Sequence, residues 1–290
     1  MPSRASILFS MKQLKTEQRV EILKGLVEGV GINATCRMTG FAKNTVLKLL
    51  RDIGPACDRY HNEHVRNLST KRVQCDEIWS FVYAKQKNVP EEKRGFGVGD
   101  IWTWTALDAG SKLMISYLVG LRDAGYAFEF MNDVASRLAN RVQMTTDGHR
   151  PYLEAVEGSF GADIDYAMLV KIYGAERADE ARYSPAKCIG TRRAGITGNP
   201  DPKHISTSYV ERSNLTLRLM NRRFTRLTLG FSKKIENHIH AIALYAFHYN
   251  FCKIHSTLRV TPAMEAGLTD HVWEIEEIVA LLQTKEKRAA

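Results

Sequence analysis

No run in this 290-residue chain approaches the ~18 consecutive apolar residues of a membrane-spanning helix, so no span is expected. Residues 1–14 lack the apolar stretch of a secretory leader. Cysteine is sparse. Cys36, Cys57, Cys75, Cys188 and Cys252 form no close pair, which argues against a disulfide framework or a structural zinc knuckle and leaves free thiols in a reducing compartment. No Cys or His cluster that would select a soft metal is apparent, nor any internal repeat or low-complexity tract. The expectation is a soluble, cytoplasmic chain.

What is present is ordinary globular composition, 44% hydrophobic and 25% charged, long enough for a catalytic domain and one small module. The formal charge is +9, from 41 Lys and Arg against 32 Asp and Glu. Residues 174–234 carry 13 of those cations and 5 of the acids, a local +8, so nearly the whole excess sits in one fifth of the chain. A polyanion is the partner such a bias favours. Apolar positions at helical spacing interrupt it, unlike a disordered basic tail.

Residues 12–51 divide into short helical runs. Ile22, Leu23 and Leu26 make an apolar stripe, Gly31 breaks the first helix, residues 32–38 form a second, and Thr39-Gly40 supplies a tight turn. In the next helix Val46, Leu49 and Leu50 point inward, leaving Lys43, Asn44, Thr45, Lys48 and Arg51 partly outward. That is the pattern of a helix-turn-helix whose second helix lies in a DNA major groove; a plain three-helix bundle has the same periodicity. Residues 51–72 are polar and read as a connecting helix or linker.

From Val73 the period becomes that of strands, over 73–83, 101–107 and 113–119, with Asp108-Ala109-Gly110 as a turn. A helix over 124–138, with Phe128, Met131, Val134 and Leu138 on one face, precedes a strand at 142–146, a short helix at 151–156 and a fifth strand at 165–172. Residues 174–203 read as irregular, punctuated by Gly190, Gly195, Gly198 and Pro200. Helices return at 208–223, 232–251 and 272–282. The fold class is therefore α/β: a mixed five-stranded sheet flanked by helices, preceded by an all-α module. The domain division expected is 1–70 for the helix-turn-helix and linker, 71–268 for a catalytic domain with an irregular basic insertion at 174–205, and 269–290 for a terminal helix and tail.

Three carboxylates stand out. Asp76 sits inside an apolar strand, Val73-Gln74-Cys75-Asp76-Glu77-Ile78-Trp79, where a bare carboxylate costs several kcal/mol unless a cation offsets it. Alternation sends Glu77 to the opposite face, where solvation would account for it. Asp147 ends the fourth strand, before Gly148, either in a ligand-collecting position or as a helix cap. Glu211 opens an otherwise basic helix, a placement the helix dipole also favours, with Arg218 two turns on over nearly the same face. Together the three suit two hard divalent cations, Mg²⁺ with Mn²⁺ as substitute, clamping an in-line phosphoryl displacement.

With these residues placed, the chain resembles the DDE transposases of bacterial insertion sequences, most closely the insertion-element-one family. The resemblance rests on Gln74-Cys75-Asp76-Glu77-Ile78-Trp79, Thr145-Thr146-Asp147-Gly148, Tyr209-Val210-Glu211-Arg212 with Arg218, and the tail Tyr249-Asn250-Phe251-Cys252-Lys253-Ile254-His255-Ser256 followed by Thr261-Pro262. It covers residues 73–268. It implies a ribonuclease H-like, integrase-superfamily core and Mg²⁺ bound by Asp76, Asp147 and Glu211. It also implies recognition of terminal inverted repeats in double-stranded DNA, cleavage to a 3′-hydroxyl, joining of that hydroxyl to target DNA, and a dimer or larger assembly. Members of the family often begin with a cysteine-rich zinc module, and this chain has none.

Arg192, Arg193, Arg222, Arg223 and Arg226 are the DNA-backbone candidates, a solvated face being the alternative. His149 is a candidate for the scissile phosphate or its water, and His255 for an accessory role or a structural one. A ribonuclease H-like nuclease that cuts without joining, or a silent DNA-binding regulator, would share parts of the same pattern.

Overall fold

The computed structural model describes residues 14–95, 97–174, 188–225 and 228–288, with side chains to 282. Three helices open it: α1 (Thr16–Val27), α2 (Ile32–Thr39) and α3 (Lys43–His64). Gly40, at φ 73°, closes α2 in the left-handed region that only glycine enters without strain, and the chain turns into α3 within three residues. The helix-turn-helix is thus present, but α3 is longer than its apolar pattern indicated. It runs through Pro55 and buries Ile53, Ala56, Cys57 and His61, so the polar stretch after Arg51 is helix rather than linker.

The core follows in the order β1 (Arg72–Val82), β2 (Gly99–Asp108), β3 (Met114–Gly120), α4 (Ala124–Arg137), β4 (Gln143–Thr146), α5 (Pro151–Phe160), β5 (Asp165–Tyr173) and β6 (Cys188–Thr197). Then come α6 (Ser208–Met220), α7 (Ile235–Phe247) with a π-helical continuation over His248–Cys252, α8 (Pro262–Glu265) and α9 (Ile275–Arg288). The sheet order is β3-β2-β1-β4-β5-β6. β1, β2 and β3 are antiparallel, β4 joins β1 and β5 in parallel, and β6 returns antiparallel to β5. This is a ribonuclease H-like α/β core preceded by N-terminal helices.

The five strands read from the sequence are all present, and β6 extends the sheet by a sixth. It lies inside the segment that reads as irregular. Its side chains are mostly exposed and two of its residues are glycine, so the strand carries no apolar alternation to announce it. Residues 175–187 lie outside the described set. The buried face of α4 is also rotated from the predicted one: Ala127, Phe130, Met131 and Val134 face the core, while Phe128 is 47% exposed beside Gly158 of α5.

Two hydrophobic clusters sandwich the sheet. One joins α4 and α5 with α1, α3 and α9; the other joins α6 and α7 to β1, β2 and β3. The N-terminal helices therefore share a core with the α/β half rather than hanging from it. Two glycines permit that contact. A Cβ on Gly54 of α3 would stand 2.4 Å from the His240 Cβ of α7, and one on Gly29 (φ 76°) would stand 2.7 Å from the Leu219 carbonyl oxygen at the end of α6.

Candidate functional site

The β1–β4 ladder ends at the pair Gln74–Thr145. Beyond it the two strands part, as open parallel sheets do where ligands collect, and Asp76 and Asp147 face each other across the gap. Strand alternation still holds along β1. Asp76 turns to the α6 face, where it accepts a hydrogen bond from the Asn214 amide at 2.9 Å. Glu77 turns to the α5 face, and there the solvated residue expected from the sequence is not found. Its side chain is 1% exposed, and Oε1 is sealed from solvent beside the equally buried Tyr152 hydroxyl. Because no strand fills the gap at this level, a carboxylate from either face reaches Asp147. Ligand oxygens of Asp76, Glu77 and Asp147 all lie within 4.8 Å of one another.

Crowded, desolvated carboxylates hold their protons. Burial, followed by repulsion from Asp147, raises Asp76 to about 6 and Glu77 to about 8. Arg122 offsets part of the charge, lying 3.4 Å from both Glu77 Oε2 and Asp147 Oδ2 with its guanidinium over the Trp102 ring. The donors are hard oxygens gathered within 4.8 Å of one another, and the protonation is of a kind a cation would relieve, so the cluster fits a divalent ion of the Mg²⁺ or Mn²⁺ type.

Glu211 enters the same cavity, of about 730 Å³, from α6, and Arg218 lines it two turns further on. Glu211 is not in the close cluster. Its Oε2 accepts a 2.5 Å hydrogen bond from Lys171 Nζ on β5, and its Oε1 accepts one from the Thr207 hydroxyl. Two side chains tie α6 to β1. Gln74 Oε1 accepts from the backbone N–H groups of Tyr209 and Val210 at 2.9 and 3.1 Å, satisfying donors that a helix start leaves unpaired. Asn214, which holds Asp76, itself accepts from Thr105 Oγ1 of β2 at 3.0 Å. These contacts set where Glu211 stands relative to Asp76.

His149 lines the cavity. Its backbone N–H donates to Asp147 Oδ1 at 2.9 Å, its Nε2 is buried without a partner, and burial and Arg122 lower its pKa. His255 lies elsewhere, bonded to Thr257 in the turn after the π-helical segment. Arg192 and Arg193 are exposed on β6, opposite Val170 and Leu169 of the β5 wall. Lys43, Asn44, Lys48 and Arg51 are exposed on α3 and Thr45 is half-buried; Lys48 is paired with Asp52 at 2.7 Å. Arg222 is exposed, Arg223 donates to Ser232 Oγ at 2.9 Å, and Arg226 lies outside the described residues. Glu77, Gln74, Arg122, Lys171 and Asn214 are the site residues that sequence reasoning passed over. Only the Asp76-Glu77 adjacency pointed to any of them.

Acids thus stand on the first strand, after the fourth strand and on the helix after the sheet of this ribonuclease H-like fold. No protein-family model and no curated protein matches the chain. Among solved structures it is similar to a piggyBac transposase synaptic complex with hairpin DNA, at 10% identity and TM-score 0.37, over 99% of this chain and 76% of that one. It is also similar to the Mos1 strand transfer complex, at 12% identity and TM-score 0.24, over 81% and 76% of the two chains. Neither likeness is close enough to bear on function. Among the described residues no helix is long and apolar enough to cross a membrane.

Proposed function

We propose that the chain is a DNA transposase of the DDE type, cleaving element ends to a 3′-hydroxyl and joining that hydroxyl to target DNA. The observation that carries this reading is the convergence of Asp76, Glu77 and Asp147 within 4.8 Å at the parting of β1 and β4, with Glu211 across the same cavity. Asp76, Asp147 and Glu211 are the ligands of the proposal, and Glu77, by its position, joins them. Bound divalent ions supply activation of the attacking hydroxyl and neutralisation of charge on the leaving oxygen. Asn214 keeps the Asp76 carboxylate aimed into the cavity. Lys171 and Arg218 present positive charge to a phosphate held there, and the apposed α5 wall limits water on the Glu77 side. The helix-turn-helix and the cations of α3, β6 and residues 222–226 hold the duplex. A dimer or larger assembly brings two ends together.

The test is a strand-transfer assay with a labelled, pre-cleaved element end and Mg²⁺ or Mn²⁺. Joined product is expected from the natural chain and none from Asp76→Asn or Asp147→Asn. Hydrolysis without joining would make the chain a nuclease, and DNA binding without either reaction a regulator. Full activity in Asp76→Asn would refute the carboxylate mechanism outright.

A further inference from the structure

A second concavity, of about 690 Å³, lies at the other end of α6, between the α1–α2 turn, the start of α3, residues 221–223 and residues 229–234 that lead into α7. Six cations line it, Arg37, Lys43, Arg222, Arg223, Lys233 and Lys234, and no Asp or Glu does. Among the described residues none of the six is ion-paired, although the exposed Lys48 one turn along α3 has found Asp52. One terminal nitrogen of Arg223 is sealed from solvent with no acceptor, and the Asn237 side-chain oxygen is sealed with no donor. The positive charges also crowd each other: burial and then Lys43 lower the pKa of Lys233. Unpaired like charges drawn together by folding, from two separate parts of the chain, are at their most stable with an anion among them.

We propose that this cleft is a binding site for nucleic-acid backbone phosphates, shared between the helix-turn-helix and the core and separate from the acid cavity. Lys43, at the head of the helix that would enter a major groove, supplies one wall. Arg222, Lys233 and Lys234, all exposed, supply the other. A backbone seated there is gripped from both sides, so the recognition helix does not hold DNA alone. The site deepens the transposase reading, and rests on it for one consequence. α6 lines the acid cavity at Glu211 and the cleft at Met220. Nine helical residues span about 14 Å, roughly four nucleotide steps of a B-form strand. The helix therefore sets the spacing between the held phosphates and the acids.

The test uses the full chain and a short fluorescein-labelled duplex of mixed sequence, in EDTA so that no reaction intervenes. Anisotropy is followed across a salt series. Arg222→Gln, Lys233→Gln and Lys234→Gln are combined in one variant. All three side chains are solvent-facing, and an unchanged melting temperature checks the fold. Three lost phosphate contacts should flatten the slope of log affinity against log salt by about 2.7 and weaken binding at least tenfold at moderate salt. An unchanged slope and affinity would overturn the proposal. So would a variant that keeps duplex binding but loses stabilisation by inorganic phosphate, which would make the cleft a small-anion pocket. Binding in EDTA is independent of cutting and joining. A chain inactive in strand transfer can still pass this test, and an active one can fail it.

Discussion

Replacing Glu77 by glutamine removes a carboxylate that the fold buries beside two others. In the ion-free chain its pKa stands at about 8, against 4.5 for an ordinary glutamate, because burial and Asp147 both disfavour its charge. The folded chain thus keeps a proton that the unfolded chain releases at lower pH. Stability in EDTA is accordingly greatest below pH 4.5 as far as this group is concerned, falls between there and 8, and stays low above. At about 1.4 kcal/mol per pH unit the loss is on the order of 3–5 kcal/mol. Asp76, raised to about 6, adds a smaller decline of the same sign. Urea denaturation in EDTA at pH 5, 7 and 9 measures it. The buried His61, His238 and His248, held neutral by burial, gain stability over the lower part of this range in both proteins, so the difference is what reports Glu77: the natural chain should lose stability relative to Glu77→Gln across the series, after a penalty of about 1 kcal/mol in the variant for the weakened Arg122 contact. Adding Mn²⁺ at the alkaline end should restore the natural chain far more than the variant. A natural chain and a variant whose stabilities run in parallel from pH 5 to 9 would refute the placement of Glu77.

Three further substitutions probe the frame. Asn214→Ala removes the amide donor of Asp76 and leaves Thr105 Oγ1 with only the Asp76 carbonyl oxygen as acceptor, and should cost about 1–3 kcal/mol in stability while weakening Mn²⁺ binding measured by calorimetry. Gln74→Ala leaves the Tyr209 and Val210 N–H groups unpaired at the start of α6; a loss of about 1–2 kcal/mol in urea denaturation is expected. Gly54→Ala puts a methyl where the His240 Cβ already stands, and should lower stability by roughly 1–3 kcal/mol or more. A melting temperature within a degree or two of the natural chain would show that α3 and α7 do not cross this tightly.

The sequence reading reached whatever leaves a local trace. The turn glycine at 40, the five core strands and the Asp108 turn, in which the carboxylate accepts from the backbone N–H groups of Gly110 and Ser111 at 3.0 Å, follow from periodicity and turn chemistry. Asp76 was conspicuous because a carboxylate in an apolar strand needs a reason. What escaped has no such trace. Glu77 looked solvated because alternation places it on the other face, and alternation is blind to where a ladder stops. Gln74, Asn214 and Lys171 act on residues 40 to 138 positions away, and nothing in their own neighbourhoods marks them. β6 is mostly exposed and buries no residue fully, so hydrophobic patterning had nothing to register.

The packing of α1 and α3 against α9, and of α3 against α7, has a consequence for biosynthesis. The first three helices leave the ribosome early, yet the surfaces that cover Leu23, Leu50 and Ile53 belong to segments made some two hundred residues later. At ~5–20 residues per second those apolar faces wait roughly ten to forty seconds for their partners. The nascent chain is exposed to misassembly through that interval, and a chaperone that shields short amphipathic helices is the cellular factor on which its yield should depend.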